Sequence, residues 1–202
     1  MRRYMRDQFD FLGIKTPQRR ALLKDFLARY GPPELAELED WVLPLWALPQ
    51  REYQYAALDL LERLIRRLPA EKLPLLEHLI VTKSWWDTVD MVASHLVGNL
   101  LARHPEIRDP VVERWRVSEN FWLRRTTLLF QLHYKNRTDR QLLFALIQSN
   151  LESREFFIQK AIGWALREYS KHEPEAVLTF VEQTPLPALS QREALKWLKS
   201  HS

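Results

Sequence analysis

The chain of 202 residues contains no cysteine. That absence excludes disulfide bonds, thiolate nucleophiles, cysteine-bound zinc and iron–sulfur clusters, and it suits a reducing compartment. Only four glycines occur, and none lies in a Gly-rich phosphate loop, so the composition disfavours a nucleotide-binding α/β fold. The six histidines lack the spacing of metal ligands. We therefore expect neither a metal nor another cofactor.

Long apolar runs are also missing. No uninterrupted apolar segment approaches the length of a membrane span, and residues 1–6 lack the apolar core of a signal peptide. We expect a cytoplasmic protein that does not contact a membrane. The 30 Lys and Arg residues exceed the 26 Asp and Glu residues, which gives a formal charge of +4 and a pI near 9.4. This excess permits a polyanionic partner without requiring one.

The apolar residues recur with a period of 3.6 along most of the chain, and the alternation typical of strands is nearly absent, so we predict an all-α fold. Helices that open with aromatic residues recur near residues 52, 85, 121 and 156. Shorter helices are predicted between them, at 71–82, 106–117 and 138–150. A two-helix unit repeated at this spacing is typical of a solenoid of the HEAT, armadillo or TPR kind. Most tryptophans are then interpreted as packing residues between repeats: Trp41, Trp46, Trp85, Trp115, Trp122 and Trp197.

A short segment beginning at Ser84 places two tryptophans and two carboxylates at the start of one predicted helix. Ser84 and Asp87 fit a capping box. Asp90 lies one turn deeper, where capping does not explain a carboxylate. On a helical wheel Trp86, Asp90 and Val97 share the flank beside the apolar stripe. An indole beside a carboxylate on a half-exposed flank indicates a ligand site.

The helix predicted over 155–171 carries cations and aromatic residues on one face: Phe157, Lys160, Trp164 and Arg167. Cations neutralise the phosphates of a nucleic acid, and aromatic rings contact its sugars or bases. The pattern therefore favours a nucleic-acid surface. The alternative is a solvated charged face that carries an incidental tryptophan.

Arg125 falls inside the apolar stripe of its predicted helix. A guanidinium that faces other helices needs a carboxylate or a phosphate as its partner. Asp90 occupies a nearly equivalent position one repeat earlier, so the two side chains could meet across stacked helices. The alternative to a catalytic pair is a purely structural ion pair.

Four motifs resemble those of the AlkD family of bacterial DNA alkylation-repair glycosylases: Ser84 to Asp90, Phe121 to Arg125, Leu129 to Lys135 and Glu155 to Tyr169. The resemblance covers nearly the whole chain. It implies a right-handed solenoid of HEAT-like two-helix repeats, with a single domain over residues 1–202 and a concave DNA-binding face. It also implies an enzyme that hydrolyses the N-glycosidic bond of cationic N-alkylated purines, chiefly N3-methyladenine and N7-methylguanine, in duplex DNA and without flipping the base.

Matching the motifs residue by residue implies a catalytic site of Asp90, Arg125, Trp86 and Trp164. The tyrosine that opens the family's N-terminal motif falls on Tyr4, and we expect it to contact DNA together with Phe157, Lys160 and Arg167. We expect a monofunctional, monomeric enzyme whose partner is double-stranded DNA with alkylated purines. Two alternatives are a non-catalytic protein that binds damaged DNA and a protein-binding helical-repeat scaffold.

Overall fold

The computed structural model describes residues 1–201, and these residues are helical apart from connecting turns and a single isolated bridge between Asp10 and Gln50. The predicted all-α class is confirmed. Short 3-10 turns occupy Arg2–Met5, Leu35–Glu37, Ala70–Lys72 and Lys135–Arg137. The α-helices are α1 (Thr16–Tyr30), α2 (Leu38–Ala47), α3 (Arg51–Leu64), α4 (Leu73–Val81), α5 (Trp86–Met91), α6 (Gly98–Arg103), α7 (Pro105–Arg116), α8 (Phe121–Leu129), α9 (Arg140–Gln148), α10 (Phe156–Ser170), α11 (Pro174–Gln183), α12 (Ala188–Ala194) and α13 (Lys196–Lys199).

The chain divides into two compact units, Met1–Leu75 and the residues from Leu76 onward. In the first unit α2 and α3 pack together through buried residues such as Trp46 and Leu61. Helix α1 buries none of its residues completely and is held to α3 by ion pairs of Arg19 and Arg20 with Asp59, at 2.8 and 2.9 Å. The prediction of a single domain over residues 1–202 stays a prediction.

In the second unit the helices follow the predicted repeat. Helices α5, α8 and α10 begin at Trp86, Phe121 and Phe156, as the aromatic pattern predicted. Helices α7 and α9 lie between them, within two residues of their predicted bounds. Helix α8 packs against both α5 and α10, so successive repeats share a continuous core.

An aromatic cluster joins the first turns of these three helices. The ring centroid of Phe157 lies 5.2 Å from that of Trp85 and 5.0 Å from that of Trp122, and Phe121 and Phe156 complete the cluster. Such pairs stabilise a fold by about 0.5–1.5 kcal/mol beyond the burial of their area. The predicted packing roles of Trp85 and Trp122 are confirmed.

The helix that begins at Trp86 is α-helical to Met91, adopts a π-helix over Val92–Val97 and continues as α6. A π-helix turns through a smaller angle per residue than an α-helix, because its hydrogen bonds span five residues. Val97 was predicted on the flank with Asp90, and this was wrong: Val97 is fully buried. The π segment rotates it into the core.

The predicted capping box of Ser84 and Asp87 is also wrong. Trp85 is the residue that precedes the first turn of α5, and its side chain makes no capping hydrogen bond. The Ser84 hydroxyl instead donates to the Ile80 carbonyl at 2.6 Å and so closes the end of α4. A hydroxyl can satisfy the last carbonyls of one helix or the first N–H groups of the next, and here the first of these prevails.

Candidate active site

Asp90 and Arg125 meet across stacked helices. Asp90 lies near the end of α5, and Arg125 lies in the middle of α8, one repeat later. The Arg125 Nε donates to Asp90 Oδ1 at 2.7 Å, and Nη2 donates to Oδ2 at 2.9 Å. Two parallel hydrogen bonds of this kind fix the plane of the guanidinium relative to the plane of the carboxylate. The predicted carboxylate partner of Arg125 is therefore confirmed as Asp90.

A third repeat also holds the guanidinium. Arg125 Nη1 donates to the main-chain carbonyl of Phe157, in the first turn of α10. The Arg125 side chain is only 4% exposed. Because its donors are distributed over α5 and α10, the guanidinium is fixed in position, and it fixes Asp90 in turn.

Burial raises the pKa of the Asp90 carboxyl, and the charge and hydrogen bonds of Arg125 oppose that rise. The nearby Asp87 adds a smaller upward contribution. The Asp90 side chain is 14% exposed, so part of it reaches the surface. A carboxylate accepts about four hydrogen bonds, and Arg125 uses two of these positions. The others can bind a water molecule or face a developing positive charge.

The two tryptophans assigned to the site lie on the helices that build it. Trp86 is half-buried one turn before Asp90 in α5, and Trp164 is half-buried two turns after Phe157 in α10. Their proposed contacts with a substrate stay predictions.

Two of the residues predicted to contact DNA share a partner that the sequence did not reveal. Lys160 Nζ lies 3.1 Å from Glu193 Oε1, and Arg167 Nη1 lies 3.2 Å from Glu193 Oε2. Lys196 Nζ approaches the same carboxylate at 2.6 Å. Hydrogen bonds from Lys196 and Lys160 lower the pKa of Glu193 against the opposing effect of burial. We call these four residues the Glu193 cluster.

The remaining predicted contacts have different surroundings. Phe157 packs in the aromatic cluster, and its carbonyl binds Arg125, so it has an observed structural role. Tyr4 lies in the first 3-10 turn of the first unit with its side chain exposed. Contact of either residue with DNA stays a prediction.

Residues 1–201 contain no group of three or more His, Asp or Glu side chains arranged so that it could hold a metal ion. None of the helices in that range is both long and apolar enough to cross a bilayer.

Comparison with known proteins shows the family of this chain. A family model described as DNA alkylation repair enzyme matches residues 1–198. A solved structure described as a predicted DNA alkylation repair enzyme from Enterococcus faecalis is 36% identical, with a TM-score of 0.91 over 98% of this chain and 92% of that one. No match was found among curated proteins.

Two more distant structures share the fold. AlkD2 from Streptococcus mutans is 17% identical, with a TM-score of 0.68 over 97% of this chain and 98% of that one. The protein smu.31 from Streptococcus mutans UA159 is 18% identical, with a TM-score of 0.65 over 89% of this chain and 96% of that one. The family match over residues 1–198 and the more similar structure confirm the family that the sequence resembles. The chain belongs to the DNA alkylation repair enzyme family.

Proposed function

We propose that the protein is a monofunctional DNA glycosylase that releases cationic N-alkylated purines, such as N3-methyladenine and N7-methylguanine, from duplex DNA. The observation that carries this proposal is the Asp90 carboxylate, which Arg125 holds through two hydrogen bonds at 2.7 and 2.9 Å while the Asp90 side chain stays 14% exposed. A purely structural ion pair would need neither this exposure nor Trp86 one turn earlier on the same helix.

The chemistry requires one carboxylate. An N-alkylated purine carries a positive charge, so when the bond between C1′ and the base nitrogen breaks, its electron pair neutralises the base and no acid is needed. The sugar becomes an oxocarbenium-like cation, which a fixed carboxylate stabilises. A water molecule then adds to C1′ and loses one proton. The products are a neutral free base, an abasic site and that proton.

Each site residue has a task in this reaction. Asp90 faces the developing sugar cation and orients the attacking water. Arg125 holds Asp90 in position and favours its ionised form, because a neighbouring positive charge stabilises a carboxylate. Trp86 and Trp164 provide indole faces for the deoxyribose and for the cationic base, which an indole attracts by about 0.5–2 kcal/mol. Reaction from the sugar side would leave the lesion stacked in the duplex.

A single-turnover excision assay tests the proposal. Excess protein is mixed with a duplex that carries one N7-methylguanine, and release of the free base is followed over time. We expect release by the wild-type protein, with the abasic strand intact until alkali is added. Binding without release would indicate a non-catalytic protein that recognises damage, and absence of both would indicate a protein-binding scaffold.

Neutral lesions test the leaving-group argument in the same duplex. Uracil and hypoxanthine carry no charge, and their departure requires an acid that protonates the base. We expect their excision to be very slow, even from mispairs. Comparable rates for neutral and cationic bases would show that the enzyme supplies its own acid, and the mechanism with one carboxylate would be wrong.

A further inference from the structure

Helix α12 crosses α10 at a very short distance. A Cβ atom placed on Gly163 would lie 2.4 Å from the Cβ of Glu193 and 2.8 Å from the carbonyl oxygen of Ser190, so only glycine permits this crossing. The Ser190 hydroxyl donates to the Gln159 carbonyl at 2.8 Å and locks the two helices together. The crossing therefore fixes where the Glu193 side chain leaves α12.

That position is between two cations. Lys160 and Arg167 lie on either side of Gly163 along one face of α10, and each approaches a different oxygen of Glu193. Lys196, in α13, contacts the same carboxylate from the other direction. The Glu193 side chain is 7% exposed, whereas that of Lys196 is 52% exposed. A buried carboxylate thus holds three cationic side chains that are each partly exposed, by 37% for Lys160, 28% for Arg167 and 52% for Lys196.

The charge of this cluster exceeds what a structural ion pair requires. One cation balances one carboxylate, yet Glu193 has three, which leaves a local charge of +2. Without the carboxylate the three cations would repel one another and separate. Each ammonium has three N–H donors and a guanidinium has five, and the contacts with Glu193 use a minority of them. The cluster is therefore built to present concentrated positive charge and further donors.

We propose that Glu193 is a positioning residue that assembles Lys160, Arg167 and Lys196 into one site for a backbone phosphate of DNA, with Lys196 as an additional contact. A phosphodiester fits this site, since its two outer oxygens can accept hydrogen bonds from more than one cation. Trp164 lies on the same face of α10 between Lys160 and Arg167 and offers a ring for the adjoining sugar. This inference rests on the proposed DNA-repair function.

Lys196→Ala tests the phosphate contact. Affinity for an undamaged duplex is measured as the NaCl concentration increases, and the slope of log K against log salt is compared with that of the wild type. Loss of one phosphate contact reduces the slope by about 0.9. Lys199→Ala is the matched control, because it removes the same charge from the same short helix outside the Glu193 cluster. An unchanged slope for Lys196→Ala, or equal changes in both variants, would overturn the phosphate site.

Glu193→Gln tests the positioning role through the sign of its effect. If Glu193 only offset positive charge, its neutralisation would strengthen DNA binding. If Glu193 positions the cations, Glu193→Gln should instead weaken DNA binding by at least about threefold, because a charge-assisted hydrogen bond is then misplaced. Glu193→Asp, which keeps the charge, should restore part of the affinity. Thermal melting followed by circular dichroism reports whether the variants fold. Stronger binding by folded Glu193→Gln would overturn the positioning role.

Failure of this inference and failure of the proposed function give different results. Wild-type excision together with an unchanged Lys196→Ala slope would overturn the phosphate site alone. A flattened Lys196→Ala slope without any wild-type excision would overturn the glycosylase alone. A wild-type protein with no salt-dependent affinity for duplex DNA would overturn the phosphate site and favour an acidic protein or peptide as the partner.

Discussion

Two carboxylates in the second unit, Asp90 and Glu193, both pair with cations from neighbouring helices, yet their electrostatic surroundings are opposite. Asp90 has one partner, Arg125, and burial raises the pKa of its carboxyl in spite of that partner. Glu193 has three partners, and the hydrogen bonds of two of them, Lys196 and Lys160, lower the pKa of its carboxyl in spite of burial.

The difference lies in charge balance more than in residue type. The Asp90–Arg125 pair is neutral overall, so the carboxylate keeps negative character that suits a cation. The Glu193 cluster has an excess of two positive charges, so it suits an anion. The proposed function assigns the first to a cationic sugar and the second to the anionic DNA backbone.

The largest expected effect comes from Asp90→Asn. The amide has nearly the same shape but cannot stabilise the sugar cation, and removal of one such group costs about 10²–10³ in rate. The affinity for DNA should change by no more than a few-fold, because the carboxylate acts on charge that develops in the transition state. Single-turnover excision of N7-methylguanine and binding to the same duplex measure the two quantities.

The control for Asp90→Asn is Glu113→Gln, which neutralises an exposed carboxylate paired with Arg116 on α7. We expect that variant to excise at the wild-type rate. Retention of more than about a tenth of the wild-type rate by Asp90→Asn would mean a loss much smaller than the one expected for such a group. Asp90 would then not be the catalytic carboxylate.

The second prediction concerns Arg125→Ala and pH. Asp90 acts when ionised, so excision should be fast above the pKa of its carboxyl and should slow as the pH falls through that value. In the wild type this loss should begin above the pH at which an ordinary aspartate titrates, since burial raises the pKa. Arg125 opposes that rise, so its removal should move the loss to still higher pH and reduce the rate near pH 7 by about 10- to 100-fold.

Arg124→Ala is the matched control for that experiment. Arg124 is the preceding residue of α8 and donates to the main-chain carbonyls of Ser118 and Glu119, so its removal deletes the same charge without touching Asp90. Its rate profile between about pH 5 and pH 9 should follow the wild type, because its hydrogen bonds go to main-chain carbonyls and not to the Asp90 carboxylate, whose ionisation sets the profile. An Arg125→Ala profile with the same acid limb as the wild type would show that Arg125 does not control ionisation of Asp90.

The sequence predicted the Asp90–Arg125 pair because both residues occupy equivalent places in successive repeats. A buried arginine needs a partner, and the repeat spacing identifies the residue stacked beside it. The aromatic starts of α5, α8 and α10 were predictable for the same reason. Where a helical pattern repeats along the chain, the repeat spacing predicts which residues of successive helices contact one another.

The Glu193 cluster was not predictable in this way. Glu193 meets Arg167 across the crossing of α12 and α10, which does not follow the repeat spacing of the preceding helices. That crossing depends on the lack of a side chain at Gly163. A glycine inside a predicted helix does suggest close approach of another element, but it does not identify which element approaches.

The local errors have a similar origin. Val97 was assigned to the wrong face because a helical wheel assumes a constant angle per residue, which the π-helix of Val92–Val97 violates. The residue that follows this segment, Gly98, packs closely against other parts of the chain: a Cβ on Gly98 would lie 2.3 Å from the Phe130 carbonyl oxygen, and the Tyr134 hydroxyl donates to the Gly98 carbonyl at 2.6 Å. Neither contact can be read from local sequence.

The third prediction addresses the two indoles. Trp86→Ala and Trp164→Ala should each slow excision of a cationic lesion by about 2- to 30-fold, which corresponds to the roughly 0.5–2 kcal/mol gained by a cation beside an indole. Affinity for undamaged duplex should hardly change. Replacement by Phe, which keeps a weaker aromatic face, should restore part of the rate. Equal losses for cationic and neutral bases would indicate that the indoles only shape the surface.

The smallest effects are expected from the cations of the Glu193 cluster that lie on α10. Lys160→Ala and Arg167→Ala should each weaken binding to undamaged duplex by a few-fold at moderate salt and flatten the salt slope by about 0.9, because each removes one phosphate contact. The ratio of excision rates for cationic and neutral bases should stay unchanged, since phosphates carry no information about the base.

Lys171→Ala is the control for these variants, because Lys171 follows the last residue of α10 and pairs with Glu168 instead of Glu193. Its salt slope should equal that of the wild type. With these variants the two carboxylates can be told apart by experiment. Excision should depend on pH through Asp90, and DNA binding should depend on salt through the Glu193 cluster. Unchanged salt slopes in both Lys160→Ala and Arg167→Ala would place the DNA surface elsewhere and favour a protein-binding scaffold.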